Sequence, residues 1–444
     1  MSFLGRIKNF IDKQTHNFKV LLLTSVSISS INGLVTGSSD AGGSGGGVSY
    51  ITLFIRALGA DTQQIGVINS SGRIARALFG LPLGWISDRF SLKKVILTGL
   101  ILSVIVPLAY VLSTMWEHAI LAMMISAIAQ TLTGMFINIF FVTSMRHASD
   151  RATAMSMKSI LTSLVGLAIP TISAIIVLQS GGISVEGIRP LFFIQVVCSI
   201  IVLSYTALTL KEVGFLQQKE KMIRTTNSMF QDYNEIARIP AVQKWTITKG
   251  IRTFFGQSLL PFYSLFYVEF KGADPIVIGA MGTIGILGAL LFLAPFGRLA
   301  DKHGRKKIIY FTRPFNYLAL LIIVLAPAPE WLIVAAFVRS LNTVSSLMEI
   351  TMEHELVAEE QRGRWGGFLS FFMGFVGIPG PILAGYLWNM IDPSILLLTP
   401  IIADLPFLAI LPTIPDTLHM VYEQNYTIDA RLDSDDENVM TAID

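Results

Sequence analysis

Gly84-Trp85-Ile86-Ser87-Asp88-Arg89-Phe90-Ser91-Leu92-Lys93-Lys94 and Gly297-Arg298-Leu299-Ala300-Asp301-Lys302-His303-Gly304-Arg305-Lys306-Lys307 are two copies of one short pattern, offset by 213 residues. In each, a glycine precedes an aspartate by four residues, basic residues follow, and long apolar runs lie on both sides. A charged turn duplicated between apolar runs implies two structurally equivalent halves. The repeat extends further. Gly59-Ala60-Asp61 followed by Ile65-Gly66 matches Gly272-Ala273-Asp274 followed by Ile278-Gly279 at the same offset of 213. Asp61 lies 27 residues before Asp88, and Asp274 lies 27 before Asp301. A second correspondence, at an offset of 211, pairs Arg151 with Arg362, Gly166 with Gly377 and Pro170 with Pro381.

The 444 residues are 52% hydrophobic and only 14% charged, with a mean hydropathy of +0.62. A soluble domain carries about a quarter charged residues. Apolar runs recur along the whole chain, most of them near the roughly 20 residues a helix needs to cross a bilayer. The composition therefore predicts an all-α polytopic membrane protein with twelve spans. These are 18–58 (interrupted), 64–87, 95–114, 118–142, 155–178, 190–210, 242–268, 275–297, 308–327, 331–350, 366–388 and 394–414.

Basic residues orient the spans. With both termini inside, Arg6, Lys8 and Lys13, both charged turns, the 143–158 turn, the 211–244 segment and Arg362 and Arg364 are cytoplasmic. Only Arg189 and Lys271 fall outside, with Arg56 at the outer edge of span one. The predicted organisation is a cytoplasmic arm (1–17), a six-helix bundle (18–210), a polar linker (211–241), a second six-helix bundle (242–414) and an acidic tail (415–444). The arm lacks the cleavage site of a removed signal peptide. The lone Cys198 sits in an apolar run and reads as packing, with no disulfide framework.

Asp88 and Asp301 fall at the cytoplasmic ends of spans two and eight. Solvated carboxylates there would need no further role. Gly84 and Gly297, one turn earlier on the same face, point instead to a gate, since glycine lets a neighbouring helix approach closely. A carboxylate at that contact can neutralise the positive end of another helix.

At these residues the chain resembles the major facilitator superfamily. That family's signature between spans two and three runs glycine, three residues, aspartate, a basic residue, one residue, glycine, then basic residues. The second copy matches at Gly297, Asp301, Lys302, Gly304, Arg305 and Lys306. The first matches at Gly84, Asp88, Arg89 and Lys93 and departs at Ser91 and Leu92. The resemblance covers all twelve spans. It implies two pseudo-symmetric bundles around a central cavity, with these turns, and the repeat pair Arg151 and Arg362, as a cytoplasmic latch. A weaker similarity, to the drug/proton antiporter branch, lies in Ala57-Leu58-Gly59-Ala60-Asp61 followed by Gln64-Ile65-Gly66. That branch's glycine series ending Gly-Pro in span five is reduced here to Gly166 and Pro170. Span eleven instead carries Gly374, Gly377, Gly380-Pro381 and Gly385, which read equally as close packing and a kink.

Charges inside a bilayer are costly and face a cavity or a partner. Arg73 and Arg76 share one face of span two. Their repeat counterparts are Ile286 and Ala289, so the fold does not demand them. Arg339 lies mid-span ten, Glu349 near its inner end and Asp404 centrally in span twelve. One reading has a polar or anionic substrate held by Arg73 or Arg76 with Arg339 opposite. The other has these arginines paired with Asp404 or other acids. Asp404, Glu349 and Asp40 are candidates for ion coupling. Asp40 belongs to the glycine-rich 37–47 interruption of span one, which reads either as a broken helix lining a site or as an external bulge. Asn32, Gln130 and Gln257, at similar depth in spans one, four and seven, complete the candidate substrate set.

The six histidines show no metal spacing, and no phosphate-binding loop appears. The sequence thus predicts a monomeric secondary transporter of the cell membrane, without metal, cofactor or nucleic-acid partner, driven by a proton or other ion. Proton-coupled export of a small organic molecule is the first expectation. Uptake symport or uniport of a small organic anion is the second, and a receptor that uses the fold without translocation is a third, from another class.

Overall fold

The computed structural model describes residues 10–37, 48–87, 91–145, 151–212, 238–357 and 362–414. Every regular element among them is helical, as lipid demands of a chain that must satisfy its own backbone. Span 1 comprises His16–Thr36 and Tyr50–Ala57, span 2 Thr62–Ser87, span 3 Leu92–Leu112 and span 4 His118–Thr143. Span 5 is Arg151–Gly166 with Ile169–Gln179, and span 6 is Val185–Thr209. Span 7 runs through Pro240–Leu259, Phe262–Leu265 and a π turn at Phe266–Phe270. Span 8 is Pro275–His303, span 9 Arg305–Leu325, and span 10 Trp331–Arg339 with Leu341–Glu355. Span 11 is Arg362–Val376 with Pro379–Leu387, and span 12 is Pro393–Ile410.

Ten of these are long and apolar enough to cross a membrane by length and composition alone. The other two are spans 2 and 7, which carry Arg73 and Arg76, and Lys244, Lys249 and Arg252. Polar helices inside a membrane bundle turn toward a cavity or a partner.

Local signals set the ends. Asp61 and Gln64 form a reciprocal capping box at the start of span 2, with N–H to oxygen distances of 2.8 and 2.7 Å. The repeat counterpart Asp274 caps span 8 by accepting from the Val277 amide at 2.8 Å. Gly59 and Gly272, equivalent residues just before these caps, both adopt positive φ (95° and 67°), a conformation open to glycine at little cost. Asp392 caps span 12, and the hydrogen bond from the Ser394 amide holds its carboxyl below the ordinary range.

Spans 5 and 11 break at equivalent places, after Gly166 and after Val376, each shortly before a proline. Each break frees backbone carbonyls that need partners. The Thr283 hydroxyl donates to the Leu167 carbonyl at 3.0 Å, and the Ser70 hydroxyl to the Ile378 carbonyl at 2.7 Å. Ser70 and Thr283 are themselves repeat partners. Both bonds cross between the halves.

The close approaches are equivalent too. A Cβ added to Gly66 would overlap the Pro381 carbonyl, and one added to Gly279 would stand 2.8 Å from the Pro170 carbonyl oxygen. Gly385 meets the Thr62 carbonyl in the same way, and Gly380 meets Ser258. Gly377, Gly380 and Gly385 of span 11 are therefore packing positions at the seam with spans 2 and 7, and the chain bends at Gly377–Ile378.

All these contacts lie toward one end of the bundle, the end bearing the 59–61 and 272–274 turns. There a single apolar cluster draws on both halves, from Val35, Phe54 and Phe192 to Phe262, Trp388 and Leu397. Toward the other end the clusters separate. One draws only on the first half, around Phe18, Phe136 and Phe141, and another only on the second, around Trp245, Trp365 and Phe407. A Cβ at Gly134, Gly297, Gly367 or Gly374 would meet nothing within 4 Å. The halves are joined at one end and apart at the other. Cys198 packs at the edge of the first-half cluster.

Candidate substrate cavity and charged seam

A cavity of about 570 Å³ occupies the first half. Spans 1, 3, 4, 5 and 6 line it, with Asn32, Gln130, Asn138, Lys158 and Gln195 among its polar residues. Gln195 Nε2 donates to Asn32 Oδ1 at 3.4 Å, and Lys158 Nζ donates to Asn138 Oδ1 at 2.6 Å. Two expected substrate residues, Asn32 and Gln130, are thus brought to one wall.

Arg76 reaches this wall, Nη2 donating to Gln130 Oε1 at 3.3 Å, while Gln130 Nε2 donates to Ser126 Oγ at 3.1 Å. Arg73, one turn nearer the closed end, crosses to span 7. Its Nη2 donates to Gln257 Oε1 at 2.8 Å and to the Gln257 carbonyl at 3.3 Å. Gly377 makes room for it: a Cβ there would stand 3.1 Å from Arg73 Nη1. Arg73 Nε is buried without a hydrogen-bond partner among the described residues. Neither arginine has a carboxylate within 4 Å among those residues. Their partners are neutral.

The alternative pairing of Arg73, Arg76 or Arg339 with Asp404 is corrected by the second half, where Asp404 has other partners. Arg252 Nε stands 2.6 Å from Asp404 Oδ1, and Arg252 Nη2 stands 2.9 Å from Glu349 Oε2. Arg313 bonds Glu349 through Nη2 and lies 3.6 Å from Asp404 through Nε. The Tyr317 hydroxyl donates to Asp404, and the Phe407 ring lies under Arg252, 4.2 Å from guanidinium carbon to centroid. Two acids and two arginines from spans 7, 9, 10 and 12 make a compact, charge-balanced quartet. A third acid, Glu353, is matched by Lys249 and accepts from Trp245 Nε1.

Arg339 stands apart from the cavity wall. Its guanidinium packs over the Tyr263 ring at 4.5 Å, a cation–π contact. It belongs to the apolar seam rather than to the Asn32–Gln130 group.

The Major Facilitator Superfamily profile matches residues 33–274 and 245–411. The chain belongs to the major facilitator superfamily. It is a transporter of that family rather than an enzyme. Among solved structures, a point mutant of the nucleoside transporter NupG is similar with a TM-score of 0.71 and 16% identity, covering 89% of this chain and 99% of that one. The D-xylose–proton symporter is similar with a TM-score of 0.68 and 13% identity, over 90% and 98% of the two chains. At these identities the likeness concerns the fold. An uncharacterized transporter of Buchnera aphidicola subsp. Schizaphis graminum is 30% identical over 107 residues, which is 24% of this chain and 27% of that relative's length.

The superfamily motif is seen in its second copy. Gly304 has φ 90° and opens span 9, and Arg305 pairs with Glu355 at the end of span 10 at 2.8 Å. Asp301 and Lys302 are exposed and Gly297 faces open space, so the expected latch contact is not made at Gly297 in this conformation. In the first copy Ser91 takes an extended conformation (φ −64°, ψ 138°) and caps span 3. The departure from glycine replaces a left-handed turn by a helix cap. Lys93 follows in the first turn of span 3, half-buried. Asp88, Arg89 and Asp40 lie outside the described residues, as do most of the linker, the tail and residues 38–47. Gly84, Arg151 and Arg362 lie in helices whose side chains there are not described.

Sequence reasoning missed Arg252 and Arg313, although the rule that singled out Arg73 applies equally to them. It also missed Ser70 and Thr283, whose signal was present: two hydroxyl residues at the repeat offset facing two equivalent helix breaks.

Proposed function

We propose that the chain carries a small organic anion across the cell membrane by rocking the 18–210 bundle against the 242–414 bundle. One observation carries this reading. The acids Glu349, Glu353 and Asp404 are each matched by a cation of their own half, while Arg76, bonded to the cavity residue Gln130, and Arg73, at the seam, have amide and carbonyl partners only among the described residues. The seam therefore holds uncompensated positive charge near mid-membrane, where a substrate carboxylate or phosphate gains most from it. The lysine and arginine distribution puts both termini and the motif turns in the cytoplasm, so the separated end faces inward.

The competing reading, proton-driven export, draws on the approach to span 2 and on Asp404 and Glu349 as proton carriers. Both acids are held by Arg252 and Arg313 in this conformation, and neither lines the cavity.

The experiment is a thermal-shift screen of organic anions and cationic drugs, repeated on Arg73→Ala and Arg76→Ala, followed by flux in proteoliposomes with and without a pH gradient. Anions should stabilise the parent, and each variant should weaken binding about tenfold or more, the scale of a lost charge-assisted hydrogen bond. Stabilisation by cationic drugs alone, or by anions equally in all three proteins, rejects the reading. Tight binding without flux favours the receptor.

A further inference from the structure

The first-half cavity holds more hydrogen-bonding chemistry than the end of an anion uses. Its wall follows span 4 from Ser126 to Asn138, about 18 Å at 1.5 Å per residue. It does not stop at the seam. It passes behind span 1 to Tyr110 of span 3 and Phe192 and Gln195 of span 6. At that far end Tyr110 and Phe192 stack with centroids 4.9 Å apart. Tyr110 is 1% exposed, and its hydroxyl has no hydrogen-bond partner among the described residues. Gln195 is 7% exposed, and its contact with Asn32 is long at 3.4 Å. Each amide has a donor and an acceptor, so the pair can do more than bond weakly to itself. Between these groups and Gln130, to which Arg76 donates, the wall carries hydroxyls and amides, while Lys158, a cation of the lining, is held at the Asn138 end.

A buried donor without a partner is costly, and a site lined with such groups selects ligands that satisfy them. A site built to hydrogen-bond a hydroxyl rejects the analogue lacking it by about 10⁴-fold or more. A fatty or aromatic acid would leave Tyr110, Gln195 and Asn32 unsatisfied along its length. A neutral sugar would leave Arg76 unused. We infer that the cavity takes the polyhydroxylated body of a sugar acid, an aldonate or uronate. Its carboxylate lies at Arg76, and its hydroxyls run along Gln130, Asn32 and Gln195 toward Tyr110. This rests on the anion reading above and adds which anion fits.

The test is calorimetric titration of the full chain in nanodiscs with three six-carbon probes: D-gluconate, hexanoate and sorbitol. Tyr110→Phe removes one oxygen and keeps the ring stack, and Gln195→Leu removes the amide. Unchanged melting of Tyr110→Phe shows that it folds. Gluconate should bind the parent at least 100-fold more tightly than hexanoate. Each variant should weaken gluconate about tenfold and leave hexanoate unchanged. If hexanoate binds within tenfold of gluconate, or neither variant weakens gluconate, the sugar-acid assignment falls while the anion reading stands. If sorbitol binds as tightly as gluconate, the anion reading falls, and the assignment of a carboxylate falls with it. Binding of none of the three overturns the assignment.

Discussion

Arg56 and Glu269 are counterparts in the two halves, 213 residues apart, and they bind each other: Arg56 Nε donates to Glu269 Oε1 at 2.7 Å. Residues meet their own counterparts only where a two-fold relation brings one position against itself. The pair thus marks the axis between the halves at the closed end. A true two-fold repeat would place like charges there. Divergence of the halves placed opposite ones.

With 39% and 32% of the side chains exposed, this pair contributes about 0.2–1 kcal/mol. Arg56→Glu puts two acids on the axis and should open the closed end, lengthening the distance between spin labels at Gln63→Cys and Met390→Cys in a Cys198→Ala background. Arg56→Glu with Glu269→Arg should restore the parent distance. If the reversed pair stays as open as the single variant, the axis contact is incidental.

Ser70 and Thr283 each satisfy a carbonyl at a helix break in the other half. Losing one such bond costs roughly 1 kcal/mol, or about a fivefold change in the ratio of closed to open states. Ser70→Ala and Thr283→Val should each shift the same spin-label distribution by about that factor and together by the product. Thr283→Ser keeps the hydroxyl and should leave the distribution unchanged.

Arg252, Arg313, Glu349 and Asp404 form one balanced network, so removing one member strands a buried charge. Arg252→Met should destabilise the protein by about 3–5 kcal/mol, read as a fall in the detergent melting temperature. Arg252→Met with Asp404→Leu should recover much of that loss. A double variant as unstable as the sum of its parts would mean that the two side chains act independently.

Gly297 meets nothing in this conformation, so Gly297→Leu should leave the melting temperature unchanged. If the motif end closes during transport by helix approach at that glycine, the same change should lower flux about tenfold through an opposed closure. Flux equal to the parent's removes Gly297 from the gate.

The spans were readable with little error because hydropathy and capping are local. Span 4, expected over 118–142, runs His118–Thr143, and span 2, expected over 64–87, runs Thr62–Ser87. Span 8 overshoots its expected end at 297 and continues to His303, because an apolar run stops at the membrane surface while a helix need not. The repeat was readable as well. Gly66 with Gly279 and Pro170 with Pro381 are equivalent in sequence, and they make equivalent contacts.

The candidate site was readable only in part. Of the three residues chosen by depth, Asn32 and Gln130 line one cavity while Gln257 binds Arg73 across the seam; Arg76 donates to Gln130, Arg339 packs on Tyr263, and Asp404 is held by Arg252 and Arg313. Depth in a span follows from counting residues to the nearest turn. Which helix a side chain faces depends on how each helix is rotated and what packs beside it.

The sequence by itself determined the helices, their number and the doubling, since these follow from the apolar length of each run and from turns recurring at a fixed offset. Tertiary structure alone decided which charges neutralise one another, which end of the bundle is shut and how far the cavity reaches behind span 1. Those depend on distances of a few ångströms between residues far apart in the chain, and no local pattern encodes them.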